Sequence, residues 1–551
     1  MSSPYYKDSY DCIIIGSALA GMSAALKLSR RGFKDVLILE RQNMPGGVTT
    51  SFVRSGVELE ASLHEISSVS SKRYPLFVRK FLNENGVNVS FVRSDEAFHY
   101  VEPGFSCTVH CGKAGRFEIP CHDISLAVGD ESGEIYDKLM LFFQDCKNVF
   151  DSIGSFSDGD YMDLDLIQSH IDLIRSLSYS TKEVIDVYGF PDVVKRILLA
   201  YWCYLGNEPD DLPYVLYSCL MSDYLGYGAY TCKETSHELS IKMLEACRKK
   251  GIQVEFNQEV SNILVKDGHV IGVRLKDGSE ISSNYVVSGP YPNTVYNYMI
   301  EPKSEVPQKS FQMLNAKSLS MSVFSTILIL DEPPEKFGMD HYMTFVAPIG
   351  LDFEKIMESY HQSHGYQYFM AVCFNKVLDY CPKGKTIYSI TALPYPDSFK
   401  DVSEENYDDM KHVIAREMIE EESKRLGVNL FDHIVDIEFI TPVSIAHYCK
   451  SFQGCIYGYL ASLDDNVAAR IMKHDEEQLI KGLAFAGAHQ MSGDGMGTQF
   501  INGNQAAEDI YKQFQSDIPG PLQNIILPKK KSKKARKLEK KLKSQKIKKK
   551  E

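Results

Sequence analysis

The apolar positions open the chain in a tight order. Residues 12–15, Cys-Ile-Ile-Ile, form an uninterrupted apolar run, the pattern of a strand buried on both faces. Gly16-Ser-Ala-Leu-Ala-Gly21 follows, then an Ala/Leu-rich stretch to Leu28, with Gly32 as a helix stop. A second apolar run, 36–39, ends at Glu40. Between 72 and 236 the rhythm is mixed. Residues 105–111 and 116–121 flank Gly112-Lys-Ala-Gly115 and predict a hairpin. Leu139, Phe142, Phe143, Cys146, Val149 and Phe150 share one helical face, and Pro191 opens a helix whose apolar side continues through Ile197, Leu198 and Tyr201. The acidic stretch 157–165 reads as a loop. A helix from Ser236 is stopped by Gly251, and strands are predicted at 253–256, 270–275 and 285–287, with Asp267-Gly and Asp277-Gly at the turns between them. Residues 319–330 alternate loosely, as one face of a larger sheet. The run 483–486 is a short strand before a glycine-rich turn and a closing helix. There is no internal repeat.

The first forty residues are thus strand, glycine turn, helix, strand, acid: a Rossmann-type unit within an α/β fold. In a G-x-G-x-x-G turn the first glycine permits the bend and the second lets backbone approach a pyrophosphate. The third lets the helix pack on the strand, and the helix N-terminus presents N–H groups to the anion. Gly16 and Gly21 hold the outer positions here, and Ala18 takes the middle one. Glu40, 24 residues after Gly16, stands where a carboxylate accepts from ribose hydroxyls.

Further along, Glu40-Arg-Gln-Asn-Met-Pro-Gly-Gly47 resembles the second flavin signature of the phytoene desaturase, carotenoid isomerase and retinol saturase family, part of the flavin-containing amine oxidase-like superfamily. Gly56-Val-Glu-Leu-Glu-Ala-Ser-Leu-His64 is similar to a retinol saturase stretch, with Glu60 in place of an Asp and His64 on the family His. Asn257-Gln-Glu-Val260, residues 452–458, and the segment Gly487 to Gly497 with Gly503 resemble further pieces of that group. Departures are Val48 for the Arg after the glycine pair, Thr235-Ser236 for a later glycine pair, and Asp494 for a glycine.

The resemblance implies FAD as cofactor. Gly16, Ala18, Ala20, Gly21, Glu40, Arg41, Gly46 and Gly47 would hold it from the first unit, and Val260 would contact the adenine. Gly487, Gly493, Asp494, Gly495 and Gly497 would close the site. It also implies a discontinuous Rossmann-type FAD-binding domain (1–72, 236–300 and 479–515) interleaved with a mixed sheet-plus-helix substrate domain (73–235 and 301–478). The implied reaction is saturation or desaturation of a carbon–carbon double bond in an apolar polyene, terpenoid or fatty acyl chain. Its alternatives are a redox-neutral isomerase and a non-catalytic lipid- or prenyl-binding protein. His64 and Glu60 are the acid/base candidates, with His489 a third. No second dinucleotide turn occurs, so NAD(P)H as electron donor has to share the flavin's face.

Composition narrows this reading. The 551 residues, 44% hydrophobic and 24% charged, suit two to four globular units or one large interleaved pair. The first ten residues lack a signal peptide's features, and no apolar run is long enough to span a membrane. Thirteen scattered cysteines without a C-x-x-C pair fit reduced thiols in a cytoplasm. Cys107, Cys111, Cys121, His110 and His122 match no zinc spacing, and no metal site is expected. The aromatic load, 28 Phe and 32 Tyr, suits an apolar channel, with its lining expected in the tyrosine-rich run 201–230. The net charge of −13 hides a split: residues 529–551 carry 14 basic and 2 acidic side chains, while the rest carries 46 basic against 71 acidic. The acidic body argues against a specific nucleic-acid partner. The tail 516–551, expected to be disordered or a solitary helix, suits an anionic membrane surface and peripheral attachment. Co-sedimentation with anionic vesicles should therefore fall when 529–551 is deleted and when salt is raised. Binding that survives both would exclude the electrostatic anchor.

Overall fold

The computed structural model describes residues 6–62, 65–156, 171–493 and 495–518. The short apolar runs form a five-stranded parallel sheet in the order Gln253–Glu255, Val36–Leu39, Cys12–Ile15, Val286–Ser288, Leu483–Phe485. Alternate residues point to opposite faces. Ile14, Ile38 and Val287 pack against the helices Leu19–Arg31, Ser236–Lys249 and Met496–Asp517. Ile13, Leu37 and Val286 pack against an antiparallel layer built on Val260–Lys266, His269–Leu275 and Glu280–Ser283. Two of those three strands, Val260–Lys266 and Glu280–Ser283, were not evident in the sequence, where polar residues interrupt the apolar pattern.

Helix Leu19–Arg31 lies along the closing helix Met496–Asp517 at backbone contact. A Cβ on Gly503 would stand 2.2 Å from the Ala20 carbonyl oxygen, so only glycine allows this crossing. The closing helix reaches Asp517, two residues into the segment assigned to the tail; residues 519–551 lie outside the described residues.

The second large layer is a seven-stranded sheet in the order Ile434–Ile440, Phe324–Leu330, Thr386–Ala392, Phe369–Cys373, Met343–Val346, Glu96–Glu102, Phe105–His110. It is antiparallel except where Met343–Val346 meets Glu96–Glu102. Phe324–Leu330 is buried at every position, so the expected alternation over 319–330 is replaced by a central strand covered on both faces.

The predicted hairpin is corrected. Phe105–His110 does form a strand, but it turns back at Gly104 onto Glu96–Glu102. Residues Glu118–Ala127 form a helix instead. Pro120 fits a helical first turn, where its missing N–H costs nothing, and Glu118 complements the helix dipole there. Phe117 stacks on Phe143 of the helix Glu134–Phe156, with ring centroids 5.1 Å apart. That helix buries Leu139, Phe142, Phe143, Cys146 and Val149 as its spacing requires. Cys107, Val109 and Cys111 are buried together, and among the described residues no cluster could hold a metal ion. The expected loop at 157–165 lies outside the described residues. No helix among them is long and apolar enough to cross a membrane.

Candidate active site

Three strands of the parallel sheet end in glycine or acid at one edge: Cys12–Ile15 at Gly16, Val36–Leu39 at Glu40, and Val286–Ser288 at Gly289. A cavity of ≈ 1590 Å³ opens along that edge and continues to the seven-stranded sheet. Ligands of open α/β sheets bind at this place, outside the carboxyl ends of the strands.

The glycine turn is fixed by contact as well as by φ. Gly16 has φ +99°, and a Cβ on Gly21 would meet the Gly16 carbonyl oxygen at 2.2 Å. Helix Leu19–Arg31 therefore leaves the strand at once. Its N-cap is Ala18, with no side-chain cap and no acid in the first turn, so its positive end is left to face the cavity. Ser17 N and Oγ each donate to Glu40 Oε2 at 2.8 Å, and Gln42 N donates to Oε1 at 2.8 Å. Glu40 is thus buried and oriented at the end of its strand. Gly46 N donates to the Ser17 carbonyl at 3.1 Å, which brings the Gly46-Gly47 pair beside Ala18. Arg41 turns its guanidinium outward, to the carbonyls of His447 and Tyr448 at 2.7 and 2.6 Å, and so holds the segment that walls this end.

On the opposite side the closing helix starts at Met496 after Gly495 (φ +91°), again without a side-chain cap or a first-turn acid. Asn502 Nδ2 donates to the carbonyls of Gly487 and Gly493 at 2.9 and 3.0 Å, which folds the glycine-rich turn onto the helix. Gly16, Ala18, Ala20, Gly21, Glu40, Arg41, Gly46, Gly47, Val260, Gly487, Gly493 and Gly495 all line the one cavity. Gly497 instead packs on Ser67, whose Oγ would stand 2.6 Å from a Cβ there. Asp494 and His64 lie outside the described residues.

These residues fit a flavin dinucleotide. Two uncapped helix starts face one cavity, which suits a pyrophosphate and a second electron-rich group. A Cβ on Gly16 would meet no protein atom within 4 Å, so the space above this turn is open.

Glu60 also lines the cavity. It accepts from Ser236 N at 2.9 Å and from Ser236 Oγ, and burial pushes its carboxyl up to about 7 against those bonds. Ser236 thus engages Glu60 through both its backbone N–H and its hydroxyl. His489 is buried against Tyr291, ring centroids 4.8 Å apart, and held neutral by burial; it stands in the core, off the cavity wall. The tyrosine-rich run divides. Tyr201 and Tyr217 are core, donating to the carbonyls of Ala97 and Leu198, while Tyr204, Tyr224 and Tyr227 line the cavity with Leu216, Leu220, Ile327 and Met370.

Sequence reasoning missed two buried carboxyls on the wall, Glu65 and Asp223. Asp223 Oδ2 accepts from Ser68 Oγ at 2.5 Å. Neither residue belongs to a motif, and only the fold brings them to the cavity.

The flavin containing amine oxidoreductase family model matches residues 19–511. The chain belongs to this family. Among its relatives is the 4,4'-diaponeurosporene oxygenase of Staphylococcus haemolyticus, 23% identical over 90% of this chain and 96% of that protein. Another is the chloroplastic prolycopene isomerase of Daucus carota, 21% identical over 81% of this chain and 71% of that protein. An oxidoreductase structure from Methanosarcina mazei shares the fold, with a TM-score of 0.58 and 15% identity over 91% of this chain and 99% of that one. In this chain the cavity combines a glycine turn near the chain's start with the N-terminus of a helix near its end.

Burial raises Glu60 to about 7, Glu65 to about 8 and Asp223 to about 6. Each folded value lies above the unfolded one, so the folded state holds protons that the unfolded state releases. These carboxyls therefore cost stability progressively as pH rises through that range. The double variant Glu65→Gln/Asp223→Asn should lose less Tm than wild type between about pH 5 and about pH 8. Equal losses would contradict the raised values.

Proposed function

We propose that the protein is an FAD-dependent oxidoreductase acting on a carbon–carbon double bond of an apolar polyene, terpenoid or fatty acyl chain. One observation carries this reading: a single cavity joins the glycine cradle to a wall of tyrosine and aliphatic side chains from the helical segment 199–227 and the seven-stranded sheet. A cavity of that make-up suits a long hydrocarbon laid against a cofactor ring. Relatives named as a 4,4'-diaponeurosporene oxygenase and a prolycopene isomerase support the substrate class.

Bound FAD would supply the two-electron chemistry. The chain's own residues bind and orient. Glu40, held by Ser17 and Gln42, would accept from the ribose, and the turn from Gly16 to Gly21 with the Gly46-Gly47 pair would take the pyrophosphate. The closing helix would set its positive end against the ring. Leu216, Leu220, Ile327 and Met370 exclude water from the far wall. Glu60 and His64 are proposed to handle the proton, Glu60 through its bonded position beside Ser236. Electrons would come from NAD(P)H sharing the flavin's face or from another donor. The basic tail would bring the protein to an anionic membrane that dissolves its substrate.

Reduction of the double bond is the first reading. Isomerisation is the second, favoured by the relative named as an isomerase. An anaerobic screen with reduced flavin and polyene or lipid probes, read by product mass, tests them. A gain of two hydrogens is expected; a loss of two in a parallel run with oxidised flavin would mean desaturation, and an altered geometry at constant mass would mean isomerisation. His64→Ala should retain FAD and lose turnover about 100-fold or more. Unchanged turnover removes His64 from the reaction.

A further inference from the structure

Among the described residues Arg470 is the only Lys or Arg that is buried, at 8% exposure, and it lies on the cavity wall. The wall's other cations keep contact with solvent, some of them in pairs such as Arg30 with Glu84. A charge taken out of water is expensive unless it is paired and bonded, so this one needs a reason.

Arg470 belongs to the short helix Val467–Lys473, whose start is fixed by the Asn466 side chain accepting from Ala468 N and Ala469 N. The loop before it is tied to the helical part of the substrate wall. Asn207 Nδ2 donates to the Ala461 carbonyl at 2.9 Å, and Leu463 N donates to Asp211 Oδ1 at 3.1 Å. The guanidinium is held as firmly. Nε donates to Asp465 Oδ2 at 3.0 Å, and Nη2 donates to the carbonyls of Tyr459 and Leu460 at 3.1 Å. These bonds use one side of the fork only. The third nitrogen, Nη1, has no hydrogen-bond partner among the described residues.

Nη1 is also reachable. The unpartnered oxygens of Glu65 and Asp223 are sealed from solvent, whereas Nη1 is not. A Cβ on Gly493 would find Nη1 at 3.8 Å and, beyond its chain neighbours, no other protein atom within 4 Å, so space remains between the turn and the arm. The Gly493 carbonyl accepts from Thr498 Oγ1 at 3.3 Å and Asn502 Nδ2 at 3.0 Å, which seats this turn on the closing helix. Ala461, Leu205 and Tyr204 line the same cavity and join the Arg470 loop through Asn207. The arm thus stands where the glycine-lined end of the cavity meets the apolar end.

We propose that the free Nη1 arm of Arg470 binds the terminal carboxylate of the hydrocarbon chain, which makes the substrate a long-chain acid. This rests on the reading of the cavity given above. A cationic N–H₂ donates charge-assisted bonds, and a carboxylate is the acceptor that matches it in charge. Asp465 offsets part of the guanidinium's charge, and the closing helix, with no acid in its first turn, adds its positive end. An alcohol offers no opposite charge, and a bare hydrocarbon end would leave the arm unpaired once water is displaced. Arg470 therefore sorts chains of equal length by their end group and sets how far the chain runs along the wall.

The test measures binding of oleate and of oleyl alcohol to the full-length protein saturated with FAD, by isothermal titration calorimetry. Oleate should bind tighter by about 10-fold or more. In Arg470→Gln/Asp465→Asn, which removes both charges at once, the two probes should bind alike while the flavin spectrum and Tm are kept. A wild-type readout stands beside the variant: by NMR, the carboxyl of bound oleate labelled with ¹³C at that carbon should titrate below that of oleate in detergent. Equal binding of the two probes by wild type, as an acid of this chain on the arm would give, overturns the carboxylate site. A bound carboxyl that titrates at or above the detergent value overturns it too. So does a preference for oleate that survives in the double variant, including one that has lost FAD. Each of these leaves the cavity a hydrocarbon site. Binding of neither probe by wild type overturns that reading, and the carboxylate site with it.

Discussion

The structure depends on backbone approaching backbone at the start of the first helix. With 2.2 Å between a notional Gly21 Cβ and the Gly16 carbonyl, no other residue at 21 lets that helix leave the strand where it does. The uncapped N-terminus then faces the carboxyl edge of the sheet, and Ser17 is placed to orient Glu40. The same helix crosses the closing helix at Ala20 and Gly503, so the second uncapped N-terminus reaches the same cavity from the far end of the chain. Two steric constraints, about 480 residues apart, thus assemble one anion-accepting cradle.

The cavity's other end follows a different logic. Strands such as Phe324–Leu330 are covered on both faces, and the aromatic residues between 201 and 230 close the wall as mutually packed rings. Three carboxyls lie along this boundary, each raised by burial. Acids kept neutral next to an apolar wall are costly to maintain and are characteristic of sites that move protons. The −25 charge outside the basic tail, by contrast, lies where water can screen it, and says little about the site.

The glycine turns and helix starts that line the cavity were legible because they rest on local rules. Glycines needed for close approach, an acid closing a strand and a glycine-rich turn before a helix all leave a mark at fixed spacing. The parallel strands were legible for a related reason: burial on both faces writes them as solid apolar runs. What failed was pairing and surroundings. Residues 116–121 resemble a strand until Phe117 stacks on Phe143, and Val260–Lys266 is hidden by the polar residues on its half-exposed side. Glu65 and Asp223 carry no pattern at all; their meaning comes from neighbours some 140 and 155 residues distant. His489 shows the converse, a histidine inside a motif that the fold packs against Tyr291.

The central claim is that the glycine turn and the closing helix jointly hold one FAD. Titration of the deflavinated protein with FAD, followed by flavin fluorescence and absorbance, tests it most directly. The account predicts saturable one-to-one binding, lost when Gly21 is replaced by Val and also when Gly495 is replaced by Asp, a variant that sets a negative charge at the closing helix's start. A wild-type protein that takes up no FAD, or Gly495→Asp and Gly21→Val variants that bind it as tightly as wild type, would contradict it.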